Sequence, residues 1–420
     1  MSKRRDFLKI AATIVVGAPA ILSGETPAGG QSAPKAPSYL TGYEDLWAKD
    51  PKAANEKWFR EARLGLFLHY GISAVAESHV WHMYGIYYDD RGRRVQRAPV
   101  PIAEYEKLAQ KFTADKFDAD FITDLALEAG CRYVNITTRH HDGFCLWDSA
   151  SEPFNAMNSA AKRDLVKELS DACEKKGLGF LPYWSLGRDW RHPHAPLDQR
   201  PPYEEYFGKP DPHYPPPAEH DIEKYNAFVR QQVSELLTRY KLAGIWFDGV
   251  GVGRQHKDEM RLQELYDYIH LLQPYALLSY KSGVLGTEDF IACEVLIGAG
   301  AGDTAFQTLM KRGVPREACS NLGKGWGYSG AFPDQTISLE QAWKKLRECT
   351  AQDANWLANT GPRPDGSINP PHVALYRQLG ERIREEGYPP REGPEYEADK
   401  KEMEKRARQR ANSKGKQETP

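Results

Sequence analysis

The sequence predicts an α/β protein whose strands form a (β/α)8 TIM-like barrel. Strand-like and helix-like segments alternate from about residue 58 onwards, which is the pattern of a parallel sheet with crossover helices. The strand-like segments are short apolar runs, as expected for strands that are buried on both faces. Five strands are clear and two or three more are weaker, which favours a closed barrel over an open doubly wound sheet.

Each strand is predicted from a run of β-branched, aromatic or aliphatic residues, commonly beside a glycine. The glycine-rich stretch GVGVGR at 249–254 does not favour an open sheet, because it lacks the G-x-G-x-x-G spacing of a dinucleotide-binding turn. In chain order, the predicted strands are 64–71 (LGLFLHYG), 132–138 (RYVNITT), 178–184, 243–249, 276–280 and the first part of 355–366.

The helices are predicted from apolar residues that recur every three or four positions. In residues 163–177, Leu165, Val166 and Leu169 belong to one such stripe, and Gly177 follows as a helix-ending residue. In residues 120–130, Phe121, Leu125 and Ala129 are expected to share one face. The further predicted helices are 222–240, 262–272 and 339–351.

Both ends of the chain differ in composition from the barrel. Arg4 and Arg5 precede an apolar run that is too short for a comfortable membrane span, which is typical of a twin-arginine export signal. We therefore expect an exported protein, periplasmic or extracellular, with no stable membrane span. The expected segments are a signal over 1–24, a flexible linker over 25–45, the barrel over 46–389 and a charged, disordered tail over 390–420.

Composition excludes several classes of function. The formal net charge is −2 in 420 residues, which argues against nucleic-acid binding. The six cysteines show no CxxC spacing, so zinc-ribbon and thioredoxin-like sites are not expected. The 10 Trp and 22 Tyr residues are a rich supply of the apolar, hydrogen-bonding surfaces on which sugars bind. Composition does not predict the oligomeric state.

Polar side chains follow four of the predicted strands. His69 ends the first, His140 and His141 follow the second, Tyr183 ends the third and Asp248 ends the fourth. The active sites of (β/α)8 barrels lie at the carboxyl ends of the strands. We therefore expect these groups to converge on one site.

Asp248 is the strongest candidate for a catalytic group. The motif GIWFDG is apolar up to the carboxylate, which places Asp248 beside Trp246 at the edge of an apolar pocket, and Gly249 permits a sharp turn. Such a carboxylate can attack the anomeric carbon of a sugar while a second carboxyl group acts as general acid. The alternative is that Asp248 caps the next helix.

The adjacent histidines are expected to donate hydrogen bonds rather than to bind a metal. If the backbone stays extended, His140 and His141 point to opposite sides and cannot easily hold one ion. A metal-dependent hydrolase that uses His69, His140 and Asp248 remains an alternative function. A carbohydrate-binding relative without catalysis is another.

Six segments of the chain resemble the α-L-fucosidases of glycoside hydrolase family 29. The resemblance runs from about Trp58 to Gly387, and its most specific elements are HHDGF and WFDG. It implies a (β/α)8-like barrel and a retaining exo-glycosidase without metal or cofactor. The expected substrate is a fucosylated oligosaccharide or glycoconjugate with terminal α-L-fucose or a closely related sugar. The six segments are RLGLFLHYG, YVNITTRHHDGFCLWDS, GLGFLPYWSLGRDW, GIWFDG, EACSNLGKGWGY and NTGPRPDGSI.

The same resemblance implies the roles of single residues. Asp248 corresponds to the nucleophile, and the general acid/base is left open between Glu294, at the end of a plausible strand, and Glu317. Many members carry a C-terminal β-sandwich, which is not expected here. The positions that match sugar-contacting residues are His69, Trp81, His140, His141, Tyr183 and Trp246.

One position departs from the family pattern. Members usually have Glu-Trp after the first strand, but here Val80 precedes Trp81. Either His79, His82 or Glu77 replaces the missing carboxylate, or the sugar is not L-fucose itself.

Overall fold

A computed structural model describes residues 35–89, 91–196, 219–298 and 303–415. The predicted signal segment and the first part of the predicted linker lie outside these residues. Within them, no helix is both long enough and apolar enough to cross a membrane.

Eight parallel strands form the central sheet, which confirms the predicted barrel. Their order around the sheet is β7-β6-β5-β4-β1-β10-β9-β8. At the seam, Asp289 N donates to Leu278 O at 2.8 Å, and Ala292 N donates to Lys281 O at 2.9 Å. These bonds bring β8 against β7 and nearly close the barrel. The strands are β1 (Leu64–Leu68), β4 (Tyr133–Arg139), β5 (Gly179–Ser185), β6 (Gly244–Asp248), β7 (Leu277–Tyr280), β8 (Ile291–Glu294), β9 (Arg316–Asn321) and β10 (Asn355–Thr360).

A separate antiparallel hairpin follows the first barrel strand. It consists of β2 (Ile86–Tyr88) and β3 (Arg94–Gln96). Tyr88 packs edge-on against Phe332, with ring centroids 4.7 Å apart, so the hairpin rests on the segment that follows β9.

The helices lie between the barrel strands, and their ends follow local chemistry. The Asp164 carboxylate accepts a hydrogen bond from Lys167 N and caps α5, which ends where Gly177 takes a left-handed φ of 71°. The described helices are α1 (Glu44–Trp47), α2 (Pro51–Glu61), α3 (Ile102–Glu106), α4 (Ala119–Glu128), α5 (Leu165–Lys176), α6 (Ile222–Arg239), α7 (Val250–Gln255), α8 (Leu262–Leu272), α9 (Thr304–Arg312), α10 (Leu339–Ala351), α11 (Pro370–Glu386) and α12 (Pro394–Gly415).

Leu125 and Ala129 of the α4 segment are buried as predicted, but Phe121, the third residue predicted on that face, is not. Phe121 is 37% exposed, whereas Ile122, Leu125 and Ala126 are buried. The apolar residues of this segment fit two overlapping stripes, and packing against the sheet selects the one that contains Ile122.

The connection from β7 to β8 contains no helix. The buried Glu288 carboxylate organises the loop instead, because it accepts hydrogen bonds from the backbone N–H groups of Val284, Leu285 and Gly286 at 2.7–3.0 Å. The Tyr266 hydroxyl of α8 donates to the same carboxylate at 3.0 Å. The loop therefore holds the carboxyl end of β7 at a fixed distance from β8.

The predicted flexible linker over 25–45 is wrong for the part that the structure describes. Tyr39 and Leu40 are buried at the amino-terminal end of the barrel, 4% and 0% exposed. The Tyr39 ring lies 4.5 Å from that of Trp58 on α2. Apolar side chains in an otherwise polar segment thus cover the bottom of the barrel.

The prediction that residues 390–420 form a disordered tail is also wrong for the part that the structure describes. Residues 394–415 form α12, which packs against α10. Met403 is buried, Arg347 pairs with Asp399 at 2.8 Å and Arg406 pairs with Glu348 at 2.9 Å. A charged helix is ordered here because its charges meet partners on its neighbour.

Candidate active site

A cavity of about 280 Å³ opens at the carboxyl ends of the barrel strands. Eight of the nine residues predicted to form the site line this cavity, and Glu317 does not. The eight are His69, Trp81, His140, His141, Tyr183, Trp246, Asp248 and Glu294.

Asp248 projects into the cavity from the last position of β6. Its Oδ2 accepts a hydrogen bond from the Tyr183 hydroxyl at 2.7 Å, and its Oδ1 accepts one from the backbone N–H of Gly249 at 2.6 Å. Gly249 has a φ of 85°, a left-handed conformation in which a side chain would be strained. The turn therefore holds the carboxylate in place, and the predicted position of Asp248 in a pocket is correct.

The Lys281 ammonium group contacts the carboxylates of both Asp248 and Glu294. Its Nζ lies 3.3 Å from Asp248 Oδ1 and also contacts Glu294 Oε1. Two oxygens in contact with one ammonium nitrogen lie close together, and retaining glycosidases hold their two carboxyl groups ~5–5.5 Å apart. Glu294 ends β8 and is half-exposed, so it stands at the mouth of the cavity.

Sequence reasoning missed Lys281, although a signal was present. Lys281 directly follows the predicted strand at 276–280, just as His69 and His140 directly follow the observed strands β1 and β4. Its side chain also passes over the Trp246 ring, with Nζ 4.9 Å from the ring centroid. The expectation that polar groups at the carboxyl ends of strands form the site therefore extends to Lys281.

Charge pairing keeps Asp248 ionised. Burial by itself raises the pKa of this carboxyl group, but the Lys281 ammonium and the Tyr183 hydroxyl lower it well below its usual range. Burial lowers the pKa of Lys281, whereas Asp248 and Glu294 raise it above its ordinary value. Asp248 and Lys281 are therefore both charged at neutral pH.

The hydrogen-bond partners of His69 and His141 fix their tautomers. The Ser185 hydroxyl donates to Arg188 O at 2.6 Å, so its contact of 2.5 Å with His141 Nδ1 requires that nitrogen to donate. The Asn359 amide uses both N–H groups on other acceptors, so His69 Nδ1 donates to Asn359 Oδ1 at 2.7 Å. In neutral rings, Nε2 of both histidines is then a hydrogen-bond acceptor.

The cavity histidines His69, His140 and His141 are neutral over the ordinary pH range. Burial lowers the pKa of His140 to about 4 and those of His69 and His141 well below the usual value. The His140 and His141 rings lie 4.1 Å apart on the same side, so the expectation that they point to opposite sides is wrong. Strand β4 ends at Arg139, so strand alternation no longer applies to the residues that follow.

Aromatic rings form the walls of the cavity. Tyr183 stacks on Trp246 with centroids 5.2 Å apart and on His140 with centroids 5.6 Å apart. Trp81 meets His141 edge-on at 5.4 Å. These rings offer flat apolar surfaces beside polar groups, an arrangement that suits the C–H faces and hydroxyl groups of a sugar.

A buried ion pair links the two loops that carry these residues. Arg139 Nη2 donates to Asp189 Oδ2 at 2.6 Å, and both side chains are fully buried. Asp189 Oδ1 also accepts the backbone N–H groups of Arg191 and His192 at 2.9 Å. The adjacent Asp142 accepts the Tyr105 hydroxyl at 2.8 Å. In the motif RHHD, the outer residues therefore fix the loop and the histidines face the cavity.

The structure places Glu317, the second candidate for the acid/base, outside the cavity lining. Glu317 is the second residue of β9 and lies inside the barrel, fully buried below the cavity. Its carboxylate accepts hydrogen bonds from the Tyr133 hydroxyl at 2.6 Å and from Trp246 Nε1 at 2.9 Å. Glu317 thus supports Trp246 from beneath, and its carboxyl group is engaged inside the barrel.

Comparisons with known proteins give one consistent result. The family model described as Alpha-L-fucosidase matches residues 32–388. Plasma α-L-fucosidase of Rattus norvegicus is 28% identical over 365 residues, which are 82% of this chain and 72% of that protein. The structure of α-L-fucosidase isoenzyme 1 from Paenibacillus thiaminolyticus is 27% identical, with a TM-score of 0.63 over 80% of this chain and 77% of that one. Thermotoga maritima α-fucosidase in complex with a mechanism-based inhibitor is 29% identical, with a TM-score of 0.60 over 79% and 74%.

The buried carboxyl group of Glu317 predicts a pH dependence of stability. Burial raises its pKa to about 7 against the opposing effect of its two donors, whereas an unfolded glutamate has a pKa of about 4.3. Between these values the native protein holds a proton that the unfolded chain has released, so this group makes stability fall as pH rises. Glu317→Gln removes the effect. We expect the melting temperature of the variant, relative to wild type, to increase from pH 4.5 to pH 7.5 in a thermal-shift series. A difference that does not change with pH would contradict this assignment.

Proposed function

The chain belongs to the α-L-fucosidase family, and we propose that Asp248 and Glu294 are the two carboxyl groups with which it hydrolyses terminal α-L-fucosides. The family's reaction retains the configuration at the anomeric carbon. The observation that carries the assignment is the contact of both carboxylates with the Lys281 ammonium at the mouth of a single cavity.

In the first step, Asp248 attacks the anomeric carbon while Glu294 protonates the leaving oxygen. The C1–O bond breaks, an ester forms between C1 and Asp248, and the aglycone leaves as an alcohol. Asp248 is suited to this role because Lys281 and Tyr183 keep it ionised and oriented. Glu294 is suited to the other role because its half-exposed position lets it reach a leaving group that extends into solvent.

In the second step, Glu294 acts as the base. It accepts a proton from a water molecule that attacks C1, the ester bond to Asp248 breaks and fucose leaves with its original configuration. When Asp248 is esterified it no longer carries charge, so Glu294 is then the cavity carboxylate that offsets the charge of Lys281. The negative charge that offsets Lys281 therefore lies on Asp248 in the first step and on Glu294 in the second. This change needs no movement of the backbone.

Recognition of the sugar is assigned to the neutral histidines and the aromatic walls. His69 and His141 present Nε2 acceptors, which match sugar hydroxyl groups as donors. Trp246, Tyr183 and Trp81 supply the surfaces on which the ring packs.

The two alternative functions are not favoured. A metal-dependent hydrolase would need a set of ligands, yet no three His, Cys, Asp or Glu side chains in the described part of the chain are arranged to hold an ion. The oxygens of Asp248 already contact Tyr183, Gly249 and Lys281. A binding protein without catalysis would not require a second carboxylate beside the first.

We propose further that the protein is exported to the periplasm or the cell exterior. The support is the pair Arg4-Arg5, followed by an apolar run from Ile10 to Leu22.

Replacement of Asp248 tests the nucleophile. Asp248→Asn should lower kcat on 4-nitrophenyl α-L-fucoside by at least ~10³-fold, because the covalent step is lost. In Asp248→Gly, azide should restore turnover and yield β-L-fucosyl azide, the product of a single displacement. Turnover by Asp248→Asn close to that of wild type would contradict the assignment.

Replacement of the two glutamates tests the acid/base. Glu294→Gln should lower kcat/KM by ~10²–10⁴-fold on a fucoside with a poor leaving group and much less on an activated aryl fucoside, which needs no protonation. Glu317→Gln serves as the matched control and should show no dependence on the leaving group. The account fails if Glu317→Gln has the larger, leaving-group-dependent loss.

A further inference from the structure

One wall of the cavity differs in chemistry from the rest. His79, Val80 and Trp81 line it from the loop after β1, and Arg94 lines it from the β2–β3 hairpin. Val80 is an apolar member of this wall and packs against Gly327. Within the described residues, the carboxylates that line the cavity are Asp248 and Glu294, and both contact Lys281 instead of this wall.

Glu77, His79 and His82 could each replace the carboxylate that family members carry before the tryptophan at position 81. Of these three residues, only His79 lines the cavity. Glu77 is exposed, and its carboxylate lies beside Gly330. His82 packs between Tyr87 and Tyr105, with ring centroids 4.6 and 6.2 Å away. The residue in the position to contact a substrate is therefore a histidine.

His79 presents a hydrogen-bond donor to the cavity. Its Nδ1 accepts the backbone N–H of Trp81 at 2.9 Å, so in the neutral ring the proton is on Nε2. Burial lowers the pKa of His79 to about 3, and the neighbouring Arg94 and His140 act in the same direction. The ring is therefore neutral. Among the described residues, no acceptor pairs with this Nε2–H group. His79 thus differs from His69 and His141, whose Nε2 atoms accept.

Arg94 adds a guanidinium group to the same wall. It is exposed, lines the cavity and makes no ion pair or side-chain hydrogen bond with any described residue. Guanidinium carries donors in a planar fork that matches the two oxygens of a carboxylate or a sulfate. Arg188 also lines the cavity, with its guanidinium 5.3 Å from the Trp81 ring centroid.

We propose that His79 and Arg94 form a subsite for an oxyanion on the substrate, either a sulfate ester or a carboxylate. The oxyanion is carried by the fucose or by the sugar to which it is linked. The inference rests on the proposed α-L-fucosidase function. Donors with positive charge recognise an acceptor with negative charge, whereas neutral hydroxyl groups match the accepting Nε2 atoms of His69 and His141.

The test compares neutral and anionic substrates at low ionic strength. The first set is 4-nitrophenyl α-L-fucoside and its 2-, 3- and 4-O-sulfates. The second set is fucosyl disaccharides whose second sugar is neutral, sulfated or a uronic acid. We expect kcat/KM to be about tenfold or more higher for at least one anionic substrate than for its neutral counterpart, since a charge-assisted contact contributes that much. Added salt should reduce this ratio.

Variants of the hairpin assign the effect to Arg94. Arg94→Gln should lower the ratio of anionic to neutral kcat/KM about tenfold. Arg94→Lys, which keeps the charge, should retain a large part of that ratio. Arg97→Gln, which removes the same charge from a residue outside the cavity lining, should leave the ratio at the wild-type value.

Two results would overturn the subsite. One is cleavage of the neutral fucosides with no preference for any anionic form. The other is an equal effect of Arg94→Gln and Arg97→Gln on the ratio. A different result, no cleavage of any α-L-fucoside by the wild type, would overturn the proposed function itself and with it the subsite.

Discussion

The contact of one ammonium group with two carboxylates is the interaction on which the site depends. Lys281 lies between Asp248 and Glu294, which come from different strands of the barrel. Without the cation, burial would favour protonation of Asp248, the group that must stay ionised to act as a nucleophile. With it, Asp248 stays ionised, and Glu294 is held beside the same ammonium group. The Glu288 loop contributes by holding β7 and β8, which carry Lys281 and Glu294, against each other.

Much of the fold and most of the site could be predicted from the sequence, because both rest on local patterns. The short apolar runs define the strands, and the carboxyl ends of parallel strands converge whatever lies between them. That rule placed His69, His141, Tyr183 and Asp248 correctly in one cavity. It also covers Lys281, which directly follows the strand at 276–280.

The errors concern properties that only tertiary structure determines. Glu294 and Glu317 both lie on strands, but a sequence does not show how deep in a barrel each one sits. Glu317 pairs in register with Ala292 and with Asn355, at the amino-terminal ends of their strands, and Glu294 is two residues further along β8. Composition predicts that the linker and the tail are disordered, but Leu40 and Met403 are each buried against the rest of the protein. The directions in which the His140 and His141 side chains point depend on where β4 ends.

The central claim is that Asp248 forms a covalent bond to the sugar. The most direct measurement uses a 2-deoxy-2-fluoro-L-fucosyl donor with a good leaving group, whose fluorine slows both steps and the second one most. Peptide mapping by mass spectrometry after brief exposure should find the deoxyfluorofucosyl mass on the peptide that contains Asp248, with loss of activity in proportion to labelling. A label on another carboxylate, or inactivation without a covalent label, would contradict the account.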